Sequence, residues 1–537
     1  MKINGFLKTC GNKIFDENGK EVLLRGMGLG NWLLAEGYMW RFFTKCDRPR
    51  RIENLINELV GEEKSKEFWK SYRENYITEL DIKKISEEGL NSIRLPINYR
   101  VIFDCESEKL IPEGIKLVDK VIEWCTRYNI YVILDLHGAP GGQTGTNIDD
   151  SKDDIPELFI DDNNRRLTIK LWHDIAYRYR NNPIVGGYDL LNEPLPNWFC
   201  KYNDMVMPLY REITEEIRKV DKNHMIILEG VNWSTDWSIF KELKNKSFDD
   251  NYMIQFHKYW NNPDIESIEP FLKFRRDLNV PIFMGESGEN NKSWYTGVFQ
   301  MCEDLNISWN FWVYKKMDNS NSLCSINTPD NWSMILEYVN SGVEIDKNKA
   351  WEILKEYLSN IKFENCKYNE DVLKYIFRYL PVKIPAEYYG YKGLNKDYYV
   401  KELCKNNSGL RISDGTCINL VEKKGELNFK HYNGEEKKEN EKLYLKLSSS
   451  EWVKYKVNFL NDNNVKIKLR IMAEKDNTSV SININNGRDE IINIKSLIWQ
   501  EVTVSYDSVI NNDSNNIKLK CKSGCVRIES ILIFKGE

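Results

Sequence analysis

What the 537-residue sequence lacks narrows its function first. No apolar run approaches the ~18 residues of a membrane-spanning helix; the longest resemble residues 130–136. There is no basic stripe. Lys and Arg total 76 against 81 Asp and Glu, a net charge of −5, which argues against a nucleic-acid partner and against an anionic membrane surface. His-Glu-x-x-His is missing, His number only five, and the twelve Cys have no metal-ligand spacing, so no metal centre is expected. The N-terminal MKINGFLKTCGNKIFDENGK lacks the continuous apolar stretch of a secretory leader and reads as strand, turn at Asn18-Gly19, strand. A cytoplasmic location with free thiols is therefore expected rather than disulfides; a leader removed from the chain would reverse that.

Apolar residues make up 41%, enough for a sizeable core. Aromatics reach 12% with sixteen Trp, which suits flat ligands such as sugars and equally suits burial in large domains. Eight short apolar runs recur at residues 22–26, 90–95, 130–136, 187–191, 225–228, 252–256, 281–284 and 307–312. Helical patterns intervene, for example over 115–128 and 165–180, and the later runs are spaced by about 30 residues, one βα unit. This predicts an α/β fold, a closed (β/α)8 barrel over residues 1–362, with extra helices from 31–75 over one rim. A helical linker is expected over 363–382, ending near Pro381 and Pro385. From 383 to 537 the period becomes two, with Asn/Asp/Gly turns, which predicts an all-β sandwich. The charged run 435–442 reads as a solvated loop.

Active sites of parallel barrels lie at the carboxyl ends of the strands. The runs end there in Arg94, His137, Asn192-Glu193, Glu229, His257 with Tyr259, Glu286 and Trp312. Each alone has a bland reading: an ion-pair partner, a structural His, a core Trp. Their arrival at one rim points to a catalytic cleft, with Glu193 and Glu286 each just past a buried strand.

In order and strand by strand, Arg94, His137, Asn192, Glu193, His257, Tyr259, Glu286 and Trp312 resemble the residue set of glycoside hydrolase family 5 over about residues 5–360. The resemblance implies a retaining hydrolase with no metal or organic cofactor. Glu286 is then the nucleophile and Glu193 the acid/base. Arg94 and Tyr259 would hold Glu286 ionised, Asn192 the sugar 2-hydroxyl, His257 would lie near Glu193 and His137 near a sugar hydroxyl, and Trp312 would floor the sugar site. A retaining pair needs carboxyl groups about 5–5.5 Å apart.

The loop Gly-Ala-Pro-Gly-Gly-Gln-Thr-Gly after His137 is similar to that of the family's exo-β-1,3-glucanase branch. It favours exo-cleavage of a β-glucan or its oligosaccharides, with β-1,3 linkage slightly preferred. Endo-β-1,4-glucanase, β-mannanase and a catalytically silent carbohydrate-binding protein stay open. Trp32, Trp40, Trp198, Trp233 and Trp260 are candidate sugar platforms. Residues 383–537 resemble carbohydrate-binding module family 6 through segments 384–389, 450–457, 480–485 and 526–534. There Trp499 is the candidate aromatic, while Arg527 stands where that family places an Asn.

Overall fold

Eight buried strands close into one parallel barrel in chain order: β1 Arg25–Gly28, β2 Ser92–Asn98, β3 Tyr131–Gly138, β4 Val185–Asp189, β5 Met225–Glu229, β6 Tyr252–His257, β7 Ile282–Gly288 and β8 Ser308–Trp312. The structure is a computed structural model describing residues 2–42, 45–404, 408–459, 464–495, 497–506 and 515–536. β2 and β3 are buried at every position. Helices cover the outside of such a sheet and side chains fill its inside, so its strands read as unbroken apolar runs.

Several strand boundaries differ from expectation; β2 runs on to Asn98 and β3 to Gly138, so Arg94 and His137 lie within their strands rather than past them. The first strand starts at Arg25, because Val22 donates its N–H to Ile14 O (2.9 Å) and, with Leu24, joins a buried cluster with Leu7, Ile14, Tyr131, Met225, Met253 and Phe283. That cluster links the starts of several strands to the N-terminal hairpin of Lys8–Cys10 and Lys13–Phe15. Asn18-Gly19 does form a turn, Gly19 donating to Asp16 O at 2.9 Å. β4 ends at Asp189, although Leu190 and Asn192 still donate to Ile227 O and Leu136 O, both at 3.2 Å. β7 runs through to Gly288, so Glu286 sits within the strand rather than past it.

The stretch before β2 holds the helices Pro49–Val60 and Glu62–Asn75. Phe68 and Tyr72 of the second meet Trp40, Trp332 and Tyr357 in one aromatic cluster, with the Trp40 and Tyr357 rings 4.6 Å apart. Trp40 is fully buried there, and Trp32 is buried with Nε1 donating to Arg73 O at 2.9 Å. Neither can be a sugar platform. Large rings are the cheapest way to seal a seam between helices, since each buries some 150–250 Å².

The chain divides into two compact units, the barrel strands all lying in the first. The second comprises Tyr259–Pro270, Glu289–Ile307 and Glu370–Glu537. It contains two antiparallel sheets. One runs Cys417–Leu420, Leu443–Ser448, Cys525–Lys535, Val465–Ala473, Gln500–Tyr506, with Val382–Pro385 also paired to Cys525–Lys535. The other is built from β9 Tyr398–Tyr399, β10 Trp452–Val457, β11 Thr478–Ile484, β12 Glu490–Ile494 and β13 Asn515–Ser523, in the order β9-β10-β13-β11-β12. Burial alternates along β10, as the period of two predicts. Buried Arg378 and Arg411 tie loops of this unit by donating to carbonyls, Arg378 to Thr296 and Tyr388, Arg411 to Tyr389 and Gly390. The charged run 435–442 is only partly solvated: Lys437 reaches Glu387 at 3.0 Å, and Glu441 is buried, accepting from Asn428. All twelve Cys are free thiols. No helix among the described residues is long and apolar enough to cross a membrane.

Candidate active site

Arg94 organises the carboxyl end of the barrel. It points inward from β2 and is fully buried, where a lone guanidinium is untenable. Its Nη1 donates to Glu286 Oε1 (2.5 Å), its Nε to Asp189 Oδ2 (2.8 Å), and its Nη2 to Asn192 Oδ1 (2.8 Å) and Glu229 Oε1 (2.9 Å). Asp135 Oδ2 lies 3.2 Å from Nη2. Burial opposes the Arg94 charge, but Asp135, Asp189, Glu286 and Glu229 hold its pKa well above the ordinary value.

Two glutamates flank a histidine. Glu193 Oε1 is 2.5 Å from His257 Nδ1, and Glu286 Oε2 is 3.5 Å from the same nitrogen. Burial works against a charged His257; Glu229, Glu286 and Glu193 outweigh it and push its pKa well above the usual imidazole range. Glu193 is held from behind as well, its backbone N–H donating to Glu229 Oε2 at 2.8 Å. Its φ of 42° lies in the left-handed region, a strain of about 1–3 kcal/mol that clusters at functional sites. Burial raises the Glu229 pKa, but His257 and Arg94 bring it down to about 2.

His137 Nδ1 lies 2.7 Å from Asp135 Oδ2, and its Nε2 lies 3.3 Å from Asn192 Nδ2. With burial lowering its pKa to about 4, it is neutral at pH 7, and the network assigns the proton to Nδ1 and the acceptor role to Nε2. The same network fixes the Asn192 amide, whose oxygen accepts from Arg94. The His137 ring stacks parallel to Trp312 at 5.6 Å and 2°. Trp312 donates Nε1–H to Tyr38 Oη at 3.0 Å. Its indole fits over β1 only because Gly28 and Gly30 lack a Cβ, which would lie 2.7 and 2.6 Å from the ring.

The loop after β3 is pinned. Buried Gln143 donates Nε2–H to His137 O (2.7 Å) and Asn192 O (3.0 Å), accepts from Ala139 N (3.1 Å), and its own carbonyl accepts from Leu195 N (3.2 Å). Beyond β5, Asn232, Trp233 and Ser234 all have positive φ, and Asn232 N donates to Leu195 O at 2.8 Å. Trp198 is 64% exposed, and its ring meets that of Trp233 edge-on at 5.9 Å. Trp260 instead donates to Glu289 O and packs on Tyr432. Tyr259 follows His257 by two residues, its ring 5.1 Å from that of Trp260.

Six of the residues singled out in the sequence thus converge around Arg94: His137, Asn192, Glu193, His257 and Glu286 directly or through one hydrogen bond, and Trp312 by stacking on His137. Glu229, which closes its run at the same rim, belongs to this network, as do Asp135, Asp189 and Gln255, which the strand-end pattern does not pick out. Gln255 Nε2 donates to Asp189 Oδ2 at 2.9 Å and also to Glu229. The signal was Arg94 itself: a guanidinium inside an apolar strand demands several inward acceptors on neighbouring strands.

Glu193, His257 and Glu286 each offer one ligand atom, and these atoms all lie within 4.8 Å of one another. The chemistry of this set does not fit a metal ion. Arg94 and a protonated His257 already supply positive charge to both carboxylates, and a further cation would be repelled.

Residues 57–318 match the family model for cellulase, glycosyl hydrolase family 5, a stretch that takes in β2 to β8. The chain is 34% identical over 259 residues to a beta-xylosidase of Phanerodontia chrysosporium, covering 48% of this chain and 53% of that protein. It is 26% identical over 317 residues to endoglucanase C of Acetivibrio thermocellus, covering 47% and 88%. A probable glucan 1,3-beta-glucosidase A of Aspergillus fumigatus is 25% identical over 280 residues, covering 51% and 66%. The chain thus spans about half the length of the first of these relatives.

Proposed function

We propose that the barrel is a retaining glycoside hydrolase that cleaves β-glucosidic bonds of a β-glucan or derived oligosaccharides by double displacement. The observation that carries this is the approach of a Glu193 oxygen to within 4.8 Å of a Glu286 oxygen. So close an approach of the nearest oxygens suits a retaining pair, with carboxyl groups about 5–5.5 Å apart, better than an inverting pair at about 6.5–9.5 Å.

Glu286, ion-paired to Arg94, attacks the anomeric carbon as the C–O bond to the leaving group breaks, and Glu193 passes the proton that it shares with His257 Nδ1 to the departing oxygen. In the second step Glu193 takes a proton from water, whose oxygen attacks the same carbon and releases Glu286. Asn192, oriented by Arg94 and His137, meets the sugar 2-hydroxyl; Tyr259 is assigned as a second donor to Glu286. Trp312 floors the sugar undergoing cleavage. His137 addresses one of its hydroxyls. Exo-action with β-1,3 linkage is favoured by the loop that Gln143 pins, which would wall one end of the cleft. An endo-β-1,4-glucanase reading is favoured instead by the match to endoglucanase C over 88% of its length. We take residues 1–362 as the catalytic domain, 363–382 as a linker and 383–537 as a carbohydrate-binding-module-like sandwich.

Turnover of an aryl β-glucoside tests the core of the proposal. Activity that disappears in Glu286→Gln while the melting transition is kept supports it; unchanged turnover would end it and leave a silent carbohydrate-binding barrel. Chain-length profiles of products from laminari- and cello-oligosaccharides decide linkage and exo against endo action.

A further inference from the structure

We propose that the outer face of the sheet β9–β13 is a binding site for a carboxylate-bearing polysaccharide, a chain of uronic acids. On β10, Val453, Tyr455 and Val457 are buried, so Trp452, Lys454 and Lys456 alternate onto the opposite face. On β13, Asn516, Lys518 and Lys520 do the same. The register sets Lys454 opposite Lys518, Trp452 opposite Lys520 and Lys456 opposite Asn516, and Lys518 in turn faces Asn483 on β11. Neighbouring strands are about 4.8 Å apart, so these ammonium groups form a ladder of like charge, which by itself destabilises a sheet.

A cavity of about 540 Å³ opens against this ladder and is lined by lysine, asparagine and a single acid, Asp397. Lys392 and Lys396 join Lys454 and Lys518 there. Asp397 is engaged with backbone, accepting from Lys392 N at 2.9 Å. Lys454 Nζ donates to Lys396 O at 2.9 Å, and Lys454 and Lys518 lie 5.1 and 4.1 Å over the Trp452 ring. Among the described residues none of Lys392, Lys396, Lys454 and Lys518 has a carboxylate within 4.0 Å, whereas Lys374, Lys442 and Lys468 each pair with a nearby acid. Burial, then repulsion from Lys454 and Lys520, lowers the Lys518 pKa. This excess of positive charge stands in a chain whose net charge is −5. A ligand that brings its own anions relieves that repulsion.

The lining selects among polyanions. It holds no Arg and no apolar side chain to enter a lipid layer, and the Trp452 ring on this face is taken up by Lys454 and Lys518 rather than left to stack on a base. It does hold Asn486 and Asn516, whose amides carry a donor and an acceptor side by side, the match for vicinal hydroxyls, while Asn483 donates to Asp489 Oδ1 at 2.7 Å and Asn485 is hydrogen-bonded to Asn515 and Asn516. Hydroxyls alternating with carboxylates describe a uronic-acid chain. The site is separate from the proposed catalysis and stands or falls without it.

The test is affinity gel electrophoresis of the full chain in gels containing polygalacturonate, laminarin or duplex DNA, with Lys454→Gln/Lys518→Gln and Lys392→Gln/Lys396→Gln as variants. We expect retardation by polygalacturonate that fades with added salt and an affinity weakened on the order of tenfold in each double variant. Aryl-glucoside turnover, or its absence, should be identical in all three proteins, and circular dichroism should show the variants folded. No retardation of the unmodified chain overturns the proposal, as does retardation that survives both double variants. Equal or stronger retardation by laminarin or DNA overturns the assignment to a uronate.

Discussion

His257 Nδ1 lies 2.5 Å from Glu193 Oε1, so the side chain proposed as acid and base is hydrogen-bonded to an imidazole that its surroundings hold protonated. The same nitrogen is 3.5 Å from Glu286, which puts one positive group between the two carboxyls. Their roles then separate through what else each touches: Arg94 for Glu286, and the fixed backbone behind Glu193.

That separation predicts unequal effects of removing the two carboxyls. Glu286→Gln should lower turnover of every substrate by at least about a thousandfold. Glu193→Ala should spare glycosides with strongly acidic leaving groups, which depart unprotonated, and cripple those with sugar leaving groups. The ratio of kcat/KM for a dinitrophenyl glucoside to that for an oligosaccharide measures it. A ratio unchanged from the parent protein would remove Glu193 from its role.

Arg94→Met should destabilise the fold by about 3–5 kcal/mol, since the buried carboxyl groups of Asp135, Asp189, Glu229 and Glu286, two of which burial already pushes up in pKa, lose their common cation. Arg94→Lys should recover part of the stability but little of the turnover, because a single ammonium cannot reproduce a fork that reaches Glu286, Asp189 and Asn192 at once. Urea unfolding of the two variants checks the first statement and kcat the second.

Glu229 makes the fold sensitive to acid. Its carboxyl titrates at about 2 in the folded chain against an ordinary value of 4.5. A depressed carboxyl stabilises the fold above the unfolded value, and the contribution is lost as pH falls from about 4.5 towards 2. Glu229→Gln should therefore cost most near pH 6, at most about 3 kcal/mol, with the gap closing below pH 4. Melting curves across pH 3–7 measure this; a gap that widens in acid contradicts it.

Asp135→Asn should leave the barrel folded and still lower turnover by about tenfold or more. An amide can donate to His137 Nδ1, which shifts the ring proton to Nε2 and sets it against the Asn192 amide that now donates there. Asp135→Glu should restore part of the loss. Equal activity in all three proteins would make the pair merely structural.

Trp198→Ala should raise KM for long oligosaccharides several-fold with kcat and melting temperature little changed, because its ring is largely exposed and touches Trp233 and Phe199. A matching loss of stability would mean loop packing instead.

The barrel was legible because each strand is an apolar run with a polar end, and the rim residues because they share that end. The missing parts have physical reasons. Val22 is as apolar as a strand residue, and only its bond to Ile14 assigns it to the hairpin. Trp40 looks like any rim Trp until the cluster with Tyr357 and Trp332 closes over it. Asp135 and Asp189 sit inside strands otherwise read as apolar, and what they do depends on strands far away in sequence. Lys454 and Lys518 come from strands over sixty residues apart, so no local pattern places them opposite each other.

Gln143 binds the carbonyls of His137 and Asn192 with one amide group. The loop it belongs to and the segment bearing Glu193 are thereby tied to each other, and a swing of either away from the other has to break those bonds. A substrate arriving at this site would meet a wall rather than a door. Selection by length would then be made by fixed shape, turnover would owe nothing to the opening of that loop, and altering the chain lengths accepted would require rebuilding the loop and the Glu193 segment together.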